Sequence, residues 1–170
     1  MKVLLLGGNE GSGKSDALIR LHDWLQGQGF QCSPNTHDTT QGEPKDFICF
    51  MSRITGTIKH VILNSAADDS GCIKNIRDFI TNLNLTKSDE NELLLISAIR
   101  RPFTKSYGYN PRKKLLDYIM QIFGLFENDC VEIPVTHIHD AQNYPVLIQW
   151  HEKRIDETIH NVLQSPAIGL

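Results

Sequence analysis

Eight consecutive residues near the start of the chain, Gly8-Asn9-Glu10-Gly11-Ser12-Gly13-Lys14-Ser15, follow the pattern G-x-x-x-x-G-K-S. Each residue type has a task in gripping a polyphosphate. Glycines let the backbone take positive φ and turn successive N–H groups toward an anion, and a helix opening at the end of the run adds the partial positive charge of its N-terminus. Lys14 is long enough to reach β- and γ-phosphate oxygens, and the Ser15 hydroxyl can ligate a Mg²⁺ that bridges them. Gly8 to Ser15 is therefore the candidate site for a nucleoside triphosphate.

The motif does this chemistry only between a strand and a helix, and the flanking sequence supplies both. Val3 to Leu6 is a continuous apolar run stopped by Gly7-Gly8, the pattern of a strand buried on both faces, and it is read as the central strand of a parallel sheet. From Ser15 to about Gln28, Ala17, Leu18, Leu21, Trp24 and Leu25 fall on one helical stripe closed by Gly27 and Gly29. Phe30 to Cys32 offers a short second strand, and Ser33 to Lys45, rich in Pro, Gly, Thr and Asn, reads as a loop long enough to have a function. Asp46–Met51 and Lys59–Asn64 form two β-like runs around a Thr55-Gly56 turn signal, which predicts a hairpin. Helices follow at Ile73–Leu83, Leu115–Phe123 and Pro145–Leu163, and strands at Leu93–Ile96 and Val131–Ile138. Alternation of this kind predicts an α/β fold, a mainly parallel β-sheet with helices on both faces. With 170 residues and no linker or repeat, a single domain over 1–170 is expected.

The loop and its setting resemble the Walker A motif of P-loop nucleoside triphosphatases and kinases. The resemblance covers about the first 30 residues closely and the remainder at the level of fold. It implies a three-layer α/β/α architecture, binding of ATP or GTP with Mg²⁺, and an acidic group at the end of a neighbouring strand that holds the metal through water. Asp68 and Asp69, beyond Val61–Asn64, are the residues that the resemblance points to for that role, with helix capping as their alternative. Asp38, after the second strand, is a further candidate. The resemblance to the lids of small kinases of this superfamily, in residue type and position, makes Arg100 and Arg101 candidates for clamping phosphates. Lys105, Tyr107, Tyr109, Arg112, Lys113 and Lys114 follow them closely, the last three reading as the solvated first turn of a helix. The loop before the last helix is where kinases of this layout often pack the base, so Asn143 and Tyr144 are candidates for base contact.

Other patterns carry less. Asp68-Asp69-Ser70-Gly71 satisfies D-x-x-G and Thr86-Lys87-Ser88-Asp89 satisfies T-K-x-D, as in GTPases, but the second follows a helix and sits too near the first, so both are read as coincidence. His137 and His139 share one strand face and suit a metal, yet no Cys or His cluster in the sequence supports one, and a polar strand end is preferred. Trp24 and Trp150 are read as core or helix-packing residues. Cys32, Cys49, Cys72 and Cys130 have no close spacing, which does not fit a zinc ribbon or finger, or a redox pair, and favours free, mostly buried thiols.

Composition narrows the partners. Lys and Arg number 17 against 20 Asp and Glu, a net charge of −3, so no basic footprint for nucleic acid or an anionic membrane is present. Apolar residues at 40% suffice for a packed core and exclude a disordered chain. The N-terminal apolar stretch is too short for a signal peptide and no run approaches the ~18 residues of a membrane span, so a cytoplasmic location is expected.

The combined expectation is an ATP-binding small kinase moving the γ-phosphoryl group to a nucleotide or another small polar acceptor. Lys14 would stabilise transferred charge, Ser15 with Asp68 or Asp69 would hold Mg²⁺, and Arg100 and Arg101 would clamp phosphates. The alternative is a nucleotide-dependent switch or adaptor without an acceptor. The first helix, its Gly27-Gln28-Gly29 turn and the strand after it are similar to accessory P-loop proteins of cofactor assembly, including the molybdopterin-guanine dinucleotide adaptor. Such proteins commonly form homodimers.

Overall fold

Val3 to Leu6 form the middle of β1 (Lys2–Gly8), with almost no surface left to water. Its side chains alternate between two apolar clusters. Val3 and Leu5 pack with Ile76 and Phe79 of α2 (Ser70–Asn82) and Leu115 and Ile119 of α4 (Pro111–Phe123). Leu4 and Leu6 pack with Leu18 and Leu21 of α1 (Lys14–Gly27) and Ile155 and Ile159 of α5 (Pro145–Gln164). Each such leucine or isoleucine contributes about 1.5–3 kcal/mol when removed from water.

The computed structural model describes residues 1–33, 37–38, 47–66, 70–100, 110–125, 129–136 and 145–170. They form an α/β fold around a mostly parallel sheet. Its further strands are β2 (Gln31–Cys32), β3 (His37–Asp38), β4 (Phe47–Ser52), β5 (His60–Asn64), β6 (Leu93–Arg100) and β7 (Cys130–Val135). The order is β2-β4-β5-β6-β1-β7, with β3 also pairing with β4. β5, β6, β1 and β7 run parallel; β4 is antiparallel to β5, forming the expected hairpin, and β2 and β3 are antiparallel to β4.

Three expectations change. β1 is an interior strand but lies next to the β7 edge, with β5 and β6 nearer the middle of the order. The last strand ends at Val135 rather than Ile138, and Pro134, opposite Gly7, stands on this edge strand, where a residue lacking an N–H is tolerated. The segment read as a loop contains β3. A short helix, α3 (Lys87–Asn91), occupies the tetrad that imitates a guanine-reading motif. There the Thr86 hydroxyl accepts from the Asp89 N–H while the Asp89 carboxylate accepts from the Thr86 N–H, a capping box. The pattern T-x-x-D at 86–89 is a helix start.

α1 and α5 are tied by a two-pronged ion pair, Arg20 Nε to Asp156 Oδ2 at 2.7 Å and Nη2 to Oδ1 at 3.0 Å. Trp24 stacks on His160 with ring centroids 4.4 Å apart, the helix-packing role expected of it. Trp150, by contrast, is exposed and lies under the Arg154 guanidinium. Among the described residues no helix is long and apolar enough to cross a membrane.

Candidate functional site

The four parallel strands end at one edge of the sheet, and in open α/β folds that edge is where ligands bind. Residues 9–13 connect the end of β1 to α1 there. The sharp connection depends on glycine. Gly11 and Gly13 have φ of 70° and 80°, in the left-handed region, and Gly13 is the N-cap of α1 with no side-chain cap on the helix. Gly8 is needed for a different reason: a Cβ there would run into the Val135 carbonyl oxygen and lie 2.6 Å from Ser12 Oγ. The backbone of β1 therefore passes β7 and the loop at a distance that no side chain permits.

Lys14 is 7% exposed and its ammonium folds back over the loop. Nζ donates to the carbonyls of Gly8 at 3.1 Å and Asn9 at 2.6 Å, and to Ser12 Oγ at 3.3 Å. These oxygens solvate a buried cation, which would otherwise be costly, and hold it beside the N-terminus of α1, whose first N–H groups have no partner within the helix. Ser15 Oγ donates to the Ser65 carbonyl at 3.4 Å, linking the loop to the end of β5. Ser65 in turn takes the Phe47 N–H on its hydroxyl at 2.7 Å, fixing the start of β4.

Register brings Arg100 to the loop. It is paired with Gly8 across β6 and β1, and its Nη2 donates to Glu10 Oε2 at 3.0 Å. Gly8, Asn9, Glu10, Gly11, Ser12, Gly13, Lys14, Ser15 and Arg100 thus converge. Arg112, on the first turn of α4, pairs instead with Glu132 at 2.9 Å, and Lys113 and Lys114 are exposed beside it. Asp68, Asp69, Arg101, Asn143 and Tyr144 lie outside the described residues, as do Lys105, Tyr107, Tyr109, His137 and His139.

Two buried polar residues escaped the sequence reading. Asn64, the last residue of β5, is fully buried and in register with Ser97 of β6. Its Nδ2 donates to the Ala66 carbonyl at 2.8 Å and to Ser97 Oγ at 2.9 Å, whereas its Oδ1 is buried and has no hydrogen-bond partner among the described residues. An orphaned carbonyl oxygen in a protein interior costs free energy. The available signal was that Val61-Ile62-Leu63 and Leu93-Leu94-Leu95-Ile96 both pass directly into a small polar residue at the ligand-binding edge.

No family model and no curated protein matches the chain. Among solved structures, the crystal structure of APE1195 is similar to it, with a TM-score of 0.39 and 14% identity over 97% of this chain and 78% of that one. A likeness at this level bears on neither the loop nor its chemistry.

Proposed function

We propose that the chain is a P-loop nucleotide-binding protein of three-layer α/β/α type, and that it acts as a small kinase on a nucleotide or another small polar acceptor. The observation that carries the reading is the juxtaposition of Lys14, the glycine turn, the uncapped start of α1 and Arg100 at one strand edge. The separation of core side chains by strand parity, α2 and α4 with one set and α1 and α5 with the other, supports helices on both faces.

The residues present fit a nucleoside triphosphate. Gly11 and Gly13, at positive φ, turn the loop backbone without side chains in the way, and Lys14 holds neutral oxygens that a phosphate, carrying full negative charge, outcompetes. In this reading Lys14 transfers its hydrogen bonds to the β- and γ-phosphates, the N–H groups at the start of α1 receive the remaining oxygens, and Arg100 exchanges Glu10 for phosphate. For Mg²⁺ the fit rests on the Ser15 hydroxyl, at the start of α1 and tied to the end of β5, and Asp68 and Asp69, which follow β5 in the sequence, are the carboxylates proposed to complete the site. A Mg²⁺ held there would supply charge neutralisation of the polyphosphate.

The test is calorimetry and turnover with Mg²⁺ and either ATP or GTP, on the wild type and Lys14→Ala. Wild-type binding that Lys14→Ala weakens and turnover that it abolishes are expected. Lack of heat and of any melting shift with both triphosphates refutes the nucleotide reading. Binding without transfer to any of a panel of nucleoside monophosphates and small alcohols, but with nucleotide-dependent dimerisation, refutes the kinase and leaves the switch.

A further inference from the structure

His22, Cys32 and Cys49 are remote in sequence and come from three elements, yet their ligating atoms all lie within 4.8 Å of one another. His22 stands on α1, Cys32 on the two-residue strand β2 and Cys49 on β4. The register explains the meeting of the two thiols. Cys32 is opposite Met51, so Cys49, two residues along β4, lies diagonally across on the same face. His22 then reaches over from the helix. Its Nε2 is 2.9 Å from Cys32 Sγ, and Cys32 Sγ is 3.2 Å from Cys49 Sγ. On the other side of the ring, His22 Nδ1 is 3.1 Å from Asp23 Oδ1. Cys49 is buried and Cys32 is exposed, which leaves the group open to solvent on one side.

We propose that these three residues form a binding site for a thiophilic transition-metal ion, Zn²⁺, with Asp23 as the residue that orients His22. Two thiolates and an imidazole are a donor set suited to zinc and disfavour Mg²⁺ and Ca²⁺, which take oxygen. The Asp23 carboxylate can only accept, so its contact favours the tautomer in which Nδ1–H donates to Asp23 and the lone pair on Nε2 faces the thiols. This carboxylate–histidine arrangement recurs behind zinc-bound imidazoles. Tetrahedral ligation with Zn–S of about 2.3 Å and Zn–N of about 2.0–2.1 Å requires S···S of about 3.8 Å and N···S of about 3.6 Å. The two metal-free contacts of Cys32 are shorter than these by about 0.6–0.7 Å, an opening that movement of Cys32 on its two-residue edge strand supplies. Binding deprotonates both cysteines: two Zn–S bonds and one Zn–N bond form, two protons pass to solvent, and water takes the fourth position. The ion would clip the middle of α1 to the β2–β4 edge. The site stands apart from the phosphate loop and does not depend on the reading given to it.

The test uses the full chain, purified under reducing conditions, stripped with a chelator and titrated anaerobically with Co²⁺ and then Zn²⁺. One Co²⁺ per chain is expected to give thiolate-to-metal charge transfer in the near ultraviolet and tetrahedral bands in the visible, both bleached by Zn²⁺, with a rise in melting temperature. Cys32→Ser, a change at an exposed position, should remove the bands, and Cys72→Ser should leave them intact. Asp23→Asn should weaken the metal affinity about 10–100-fold while keeping the spectrum, as loss of an orienting carboxylate does. Absence of the thiolate band in reduced protein, or a band that survives Cys32→Ser, overturns the proposal. A Cys32–Cys49 disulfide that forms equally fast with and without Zn²⁺ also overturns it.

Discussion

The close passage of β1 against β7 can be tested with one methyl group. Gly8→Ala places a Cβ against the Val135 carbonyl oxygen and 2.6 Å from Ser12 Oγ. Ser12 can rotate away, but Val135 cannot, because its backbone is fixed in the ladder opposite Gly8. Relief therefore requires moving the strand end or the loop, and overpacking of this kind costs about 1–3 kcal/mol. For a chain of this length each kcal/mol lowers the melting temperature by about 2–4 °C, so the expected fall is about 2–12 °C by differential scanning calorimetry. Adding Ser12→Ala should recover only part of the loss, since the carbonyl contact remains. A fall of less than about 1 °C, below what the smallest such clash produces, refutes the geometry. Full recovery in the double variant would show that the hydroxyl alone was the obstacle.

Asn64→Asp should destabilise the protein by about 3–5 kcal/mol near neutral pH, the cost of an unpaired buried charge. Burial raises a carboxyl's folded titration point, so the loss should shrink as pH falls, and urea unfolding that shows equal loss at neutral and mildly acidic pH argues against it. Thr86→Ala should cost about 1 kcal/mol in urea unfolding through loss of the cap on α3. The Thr86 backbone and hydroxyl hold the Asp89 carboxyl below its ordinary value, so its contribution is present above about pH 4 and disappears as pH falls through the folded value. A wild-type advantage over Thr86→Ala that is unchanged in acid contradicts this. Asp156→Ala should cost about 1 kcal/mol by removing the two-pronged partner of Arg20 and leaving only Glu152 of α5 at 3.7 Å, with a smaller difference at high salt.

The strand, glycine turn and helix at the N-terminus were legible because they are contiguous and each residue's type is dictated by its local backbone. The apolar runs of β5 and β6 were legible for the same reason, as was the apolar stripe Leu115–Phe123 of α4, whereas its Asn110 cap, Pro111 start and Gly124 stop were not read from the sequence. What sequence could not supply was lateral order. Nothing within Val3–Leu6 says that β7 and β6 flank it, and the approach of Arg100 to Glu10 depends wholly on that register. Likewise Cys32 and Cys49 are neighbours only because β2 pairs with the far end of β4. Spacing rules see ligands on one element and miss those gathered from three. Thr86–Asp89 failed in the opposite sense: four residues matched a functional pattern while obeying only the local demands of a helix start.

Both margins of the sheet are poor templates for a second chain. On one side the outermost pairing is broken into two strands of two residues each, and on the other Pro134 interrupts the row of amide donors. Among the described residues, fibrillar growth by strand addition finds no continuous rail at either flank.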